Sequence, residues 1–391
     1  MGAAARSRGS RRFVLAGVAF LVGWQVALLS GASRRLVVLL GLYGFVLHTV
    51  FGKAYALVPS YFDRTLAWPR APAVQLPLAV PGVAALAVDS HLGIPWLAPV
   101  GWGLWTAGVA VFLGTLAWTV RTNPTGGETG TGDANADRRP VDRVANAAVP
   151  VVFAYLGAGS LLALGRALGL PVPLSLPAQV SHLLAAGGAA LLVFGVGFRL
   201  FPRFLVVPAS RRTAAVVVAA GAVGPLCLAV GLRRPPWLAV GAVVETVAVA
   251  GFALWFLRAL VRSERRRIGF AAVGTAAVAG LLGVALGLHF AFAGRPTGLV
   301  AAHYRTMLLG FLGLTVVGAT LQFYPPSVGR WRLSTDRTAR AAVGLLAVGL
   351  AAQLGGLALG VPPAVVAGEA GTLAGAALHT ALVVAAVGSR R

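Results

Sequence analysis

Apolar residues run along this chain in blocks of about 20, separated by short polar or arginine-rich interruptions. The two-residue alternation of a barrel strand is absent from them, which excludes a transmembrane β-barrel. A helix of about 20 residues crosses roughly 30 Å of hydrocarbon, so each block is long enough to span a bilayer. Twelve spans are predicted, at approximately 13–30, 36–59, 73–89, 96–120, 144–168, 178–202, 212–232, 236–262, 268–290, 299–325, 339–359 and 363–388. The fold class expected is an all-α polytopic membrane protein with the lipid bilayer as its surroundings.

Composition agrees: 58% of the residues are hydrophobic and only 11% charged, against about 25% charged in soluble domains. The net charge of +23 does not signal nucleic-acid binding, because the arginines cluster at the ends of apolar segments, where they set topology. With the N-terminus inside, about 25 of the 33 Lys and Arg fall in cytoplasmic segments, including "RSRGSRR", "RFLVVPASRR", "RSERRR" and "GRWRLSTDR". Both termini are thus expected in the cytoplasm, in a multi-pass cell-membrane protein. The run "FVLAGVAFLVGWQVALLS" has no small-residue cleavage site and reads as a first span, not a signal peptide. One cysteine, Cys227, lies in an apolar run, which excludes a disulfide and a cysteine-rich metal site.

One polar loop is long, "RTNPTGGETGTGDANADRRPVDR" at 121–143. Rich in Gly, Thr and Asp and without apolar periodicity, it is predicted to be a disordered cytoplasmic linker. It divides a first transmembrane unit, residues 1–120, from a second, 144–262; a third covers 263–391. Each would hold four helices.

A glycine frame supports that division. Gly44, Gly52 and Pro59, then Gly187, Gly195 and Pro202, then Gly310, Gly318 and Pro325 share one spacing: a glycine eight residues after the first, a proline seven further. These are the second, sixth and tenth spans, every fourth one. Glycines at such spacing let neighbouring helices approach closely, and the prolines fall at the cytoplasmic helix ends, where a missing hydrogen bond costs little.

Six histidines mark candidate chemistry. His182 opens the sixth span, His303 opens the tenth, His289 ends the ninth, and His91 lies in an outer loop; His48 is mid-membrane and His379 lies toward the cytoplasm. Taken singly, each reads as an interfacial or hydrogen-bonded side chain. His182 and His303, at similar depth in repeat-equivalent helices, also read as metal or heme ligands, since a neutral imidazole nitrogen binds iron or copper. Glu245 and Glu369 are either proton-handling or substrate-contacting groups, or neutral, hydrogen-bonded carboxyls packed between helices. Arg199 and Lys53 are expected to snorkel to the interface. Arg305 suits either an anionic partner such as a heme propionate or the membrane edge.

Twelve spans in three four-helix units, with "HYRTMLLGFLGLTVVGATLQFYP" as the tenth, resemble subunit I of the heme-copper oxidases. The resemblance implies that His303 stands at the high-spin heme ligand position and Arg305 where that family has a low-spin heme ligand. The other low-spin position is Val37, the seventh span has no histidine for copper, and Ala186 replaces the tyrosine some members carry in the sixth. The chain is also similar to the NnrS-like membrane proteins, which are associated with heme, copper and nitric-oxide stress. These resemblances imply one heme b near the outer face, held by His303 and His182 with Arg305 beside it, and His289 as a further metal contact. They leave copper open but offer no complete three-histidine site. An electron-donor protein on the outer side would follow, and redox or nitric-oxide handling without proton-pumping oxygen reduction. The alternatives are a transporter using Glu245, Glu369 and helix breaks at glycine, or a heme-free scaffold.

Overall fold

The computed structural model describes residues 2–389, with the side chains of 2–7 left out. Among the described residues there is no strand, and twelve helices are long and apolar enough to cross a membrane. They are α1 (Arg8–Leu29), α2 (Arg34–Tyr61), α3 (Ala71–Leu92), α4 (Leu97–Val120), α5 (Asp133–Ala167) and α6 (Pro177–Leu205). The rest are α7 (Arg211–Gly231), α8 (Pro235–Arg262), α9 (Ile268–Phe292), α10 (Thr297–Phe323), α11 (Asp336–Leu359) and α12 (Pro362–Gly388). All twelve expected spans are present.

By contact the chain divides into two compact units. The first comprises residues 1–13 and 50–264, and the second residues 14–49 and 265–391. In the first, aromatic side chains fill the space between helices: Phe51 meets Trp105 and Phe112, and Phe252 meets Phe194, Phe198 and Phe201. In the second, Val14 and Val18 of α1 pack on Val383, Ala386 and Val387 of α12.

Three helices differ from the rest. The central windows of α2, α6 and α10 are 83%, 72% and 78% buried, whereas the other nine spans are between 39% and 50%. These are the three that carry the glycine frame. Each is also interrupted by a wide π-helical segment, at Leu39–Leu47, Leu183–Ala190 and Thr306–Gly313. All three segments contain the first frame glycine and end three residues after it. π-helical turns are rare and concentrate at functional or strained places.

The frame glycines show why those helices are so buried. A methyl group on the second frame glycine would lie 2.7 Å from the Ser10 carbonyl at Gly52, 2.9 Å from that of Ala145 at Gly195, and 2.5 Å from that of Gly269 at Gly318. The first frame glycines meet residues ten positions further along the same preceding helices: Phe20 against Gly44, Tyr155 against Gly187 and Ala279 against Gly310. Three antiparallel helix pairs, α1–α2, α5–α6 and α9–α10, therefore cross in one register. Close approach of backbones is what small residues permit in lipid, where packing and polar contacts replace the hydrophobic drive between helices.

The remaining helices form hairpins that also cross at glycine. Gly82 of α3 lies against Trp105 of α4, Gly224 of α7 against Glu245 of α8, and Gly349 of α11 against Thr372 of α12. Each partner stands four residues after a second glycine, Gly101, Gly241 or Gly368, which packs back on the first helix.

Two expectations require correction. The linker is not disordered: residues 133–138 form a 3-10 turn at the head of α5, and residues 121–132 are tied down. Asn123 donates to the Phe62 and Glu128 carbonyls at 3.0 and 2.8 Å. Nor does Arg199 snorkel. It is 4% exposed and donates to the Tyr61 and Thr129 carbonyls at 2.8 and 2.7 Å and to Asn146 Oδ1 at 2.7 Å. Its charge is matched by Asp142, which Arg203 also engages at 2.7 Å. The physical reason is one of supply: loop carbonyls and a carboxylate come to the guanidinium, so it need not reach for water. At the exposed surface of the same loop, Arg64 donates to Glu128 at 2.6 Å and holds that carboxyl below its usual range.

Candidate functional site

The richest arrangement of candidate residues lies in the second unit, where α10 begins against α9, α11 and α12. Helix α9 turns Gly283 and Gly287 toward α10. His303 Nδ1 lies 3.0 Å from the Gly283 carbonyl, and the ring's Cε1 is 3.8 Å from where a methyl on Gly287 would be. Because a carbonyl only accepts, Nδ1 carries the proton and the basic lone pair of a neutral His303 is on Nε2. Phe290 meets the half-buried ring edge-on, with centroids 5.4 Å apart. His289, next to Phe290 in the last turn of α9, is exposed.

Arg305, one half-turn on, faces a different way. Its Nη1 donates to Glu369 Oε1 of α12 and to Gln353 Oε1 of α11, each at 2.7 Å. Gln353 Nε2 in turn donates to Thr372 at 3.0 Å, and the Thr372 hydroxyl donates to the Glu369 carbonyl at 3.0 Å. The Arg305 and Glu369 side chains are only 12% and 7% exposed, so Arg305 does not reach for the membrane edge. The network links three helices and satisfies the charges it buries.

His182 belongs to the first unit. Half-buried in the first turns of α6, it donates from Nδ1 to the Ala178 carbonyl, one turn back, at 2.7 Å. The tautomer is again the one with its basic nitrogen at Nε2. His303, Arg305 and His289 belong to the second unit. Among the described residues, no three His, Cys, Asp or Glu side chains gather closely enough to hold a metal ion.

The other three histidines differ in burial. His91 is exposed in the last turn of α3. His48 is wholly buried, bonds the Tyr43 carbonyl at 2.7 Å across the π-helical segment, and lies 5.2 Å from the Phe20 ring. His379 is wholly buried too, and neither ring nitrogen has a hydrogen-bond partner among the described residues. Lys53 is half-buried.

Gln353 and Thr372 were not anticipated as site residues. The available signal was a lone amide in the apolar run of α11 and a hydroxyl three residues after Glu369. No protein-family model matches the chain, and no curated protein matches it either.

The ion pair gives a direct prediction. Arg305→Ala leaves Glu369 buried without its counter-charge and should cost about 3–5 kcal/mol of stability. The double change Arg305→Met with Glu369→Leu should recover most of that loss, because replacing both buried charges by apolar groups is often neutral. Thermal unfolding in detergent checks this. A single variant as stable as the wild type would mean that the pair is not buried as described.

Proposed function

We propose that the protein is a cell-membrane heme protein of degenerate heme-copper-oxidase type, binding one heme b near the outer face. Its work would be redox or nitric-oxide handling, with electrons from a donor protein on the outer side, and not proton-pumping oxygen reduction. The observation that carries this reading is the setting of His303: at the head of a glycine-framed, π-interrupted helix, its Nδ1–H is fixed on the Gly283 carbonyl. In this reading Nε2 would be the ligating nitrogen, and outer contacts of this kind orient metal-binding imidazoles in general. The common register of the three helix pairs supports the resemblance to the oxidase subunit.

The residues fit one axial ligand. A bound heme would supply one-electron and gas-binding chemistry. The chain's share is to hold the imidazole, through Gly283 and Phe290, and to keep α10 in place, through Arg305. Glu369 and Gln353 both bond Arg305 Nη1, so that nitrogen serves the helices, while the buried Nε has no partner among the described residues. His289, in the same unit as His303, is accessible as a further contact, and His182 of the first unit carries the same tautomer. Copper would need a gathered donor set, and none occurs among the described residues, so copper forms no part of the proposal.

Oxidised and dithionite-reduced optical spectra of the purified protein test the proposal. One b-type heme per chain is expected, with no oxidase turnover. His303→Ala should abolish or strongly shift the Soret band, and Arg305→Ala should change the spectrum less. Two hemes, or oxygen reduction at oxidase rates, would contradict it. An absence of heme after expression in a heme-replete host would favour the transporter or the scaffold.

Orientation follows from the arginine distribution, with both termini and the 121–143 loop on the cytoplasmic side. In a Cys227→Ala background, an impermeant thiol reagent added to intact cells should modify Leu92→Cys and spare Thr125→Cys, both being exposed positions. The reverse pattern would invert the topology.

A further inference from the structure

The three hairpins invite a comparison at one position, the residue pressed against the crossing glycine of the preceding helix. In α4 it is Trp105, whose Nε1 donates to Ser160 Oγ at 3.1 Å. In α12 it is Thr372, bonded to Gln353 and to the Glu369 carbonyl. In α8 it is Glu245, and there the pattern breaks. Glu245 is 6% exposed, and neither carboxyl oxygen has a hydrogen-bond partner among the described residues. Oε2 lies 2.5 Å from where a methyl on Gly224 would stand, so the carboxyl rests on bare backbone.

Among the described residues no charged side chain acts on it electrostatically. The titratable groups that face this region are Tyr155 from α5 and Cys227 from α7, and neither side chain can carry a positive charge. Tyr155 spends its hydroxyl proton on the Ala222 carbonyl at 2.7 Å, so it does not donate to Glu245. A carboxylate here would therefore be an ion buried in a low-dielectric interior with no donor and no cation, a state far costlier than the neutral acid. The neutral acid needs only an acceptor. Next to Gly224 is Pro225, which has no N–H, so the Gly221 carbonyl lacks its helical donor.

We propose that Glu245 is a proton-binding site in the membrane interior. It holds its proton while α7 and α8 are closed at Gly224 and releases it when that contact opens to water. The ligand is the proton itself. The Glu369 carboxyl, paired with Arg305 at 2.7 Å, provides the internal contrast. The site lies in the first unit and does not depend on heme at His303, which belongs to the second.

Infrared spectroscopy of the full-length protein at about pH 7 tests this, because an ordinary glutamate, with a pKa of about 4.3, is then ionised. The wild type should show a carboxylic C=O stretching band, sensitive to deuterium exchange, that Glu245→Gln removes and Glu369→Gln leaves in place. The band should disappear on alkaline titration of the folded protein with the slope of a single proton. If Glu245→Gln removes no such band at neutral pH, the carboxyl is ionised and the proposal fails. It fails equally if replacing choline chloride by sodium chloride abolishes the band, which would make this a cation site. A band that persists until the protein unfolds would show a fixed structural acid, with no exchangeable proton.

Discussion

Backbone resting on backbone is the constraint on which the rest of this structure depends. At Gly52, Gly195 and Gly318 the second frame glycine of α2, α6 and α10 lies so close to a carbonyl of the preceding helix that even a methyl group would collide. Lipid offers no hydrophobic reward for pressing two apolar helices together, so association must come from close packing and from polar contacts. Glycine permits the first. Once the pair is closed at that level, the ring or methyl ten residues away on the partner falls against the first frame glycine, and the π-helical segment spans that second contact.

Polar contacts supply the other half, and they are few and concentrated. In the first unit Arg199 gathers Asp142, Asn146 and the Tyr61 and Thr129 carbonyls, so one guanidinium fixes α5, α6, the end of α2 and the loop before α5. In the second, Arg305 ties α10 to α11 and α12 through Gln353 and Glu369. Both arginines sit inside glycine-framed helices, and each is paired with a carboxylate from a neighbouring helix. Glu245 is the exception among the buried carboxyls, since neither of its oxygens has a hydrogen-bond partner among the described residues.

Much of this could be read from the sequence, because it depends on local pattern. Apolar block length gave all twelve spans, and the spacing Gly–Gly–Pro singled out the three most buried helices. The parts that could not be read depend on contacts between residues far apart. The 121–143 loop looks disordered by composition, yet the donor that orders it, Arg199, comes some 70 residues later. The same separation hides the fate of Arg199 itself, since snorkelling is the expectation for an arginine whose partners are unknown. Glu369 carried two readings in sequence, and neither included an arginine 64 positions earlier. The π-helical segments have no compositional signature; they became visible only as a backbone feature that shares the register of the frame.

The central claim is that three equivalent glycine-to-carbonyl crossings hold the helix pairs together. The most direct measurement is the unfolding midpoint, in one detergent, of Gly52→Ala, Gly195→Ala and Gly318→Ala beside Gly23→Ala, Gly103→Ala and Gly114→Ala. The last three glycines have nothing within 4 Å of an added methyl. Crowding at the first three should cost about 1–3 kcal/mol each. The second set should be unchanged or slightly more stable, because alanine favours the helix over glycine by about 1 kcal/mol. Crossing-site variants as stable as the second set would contradict the account.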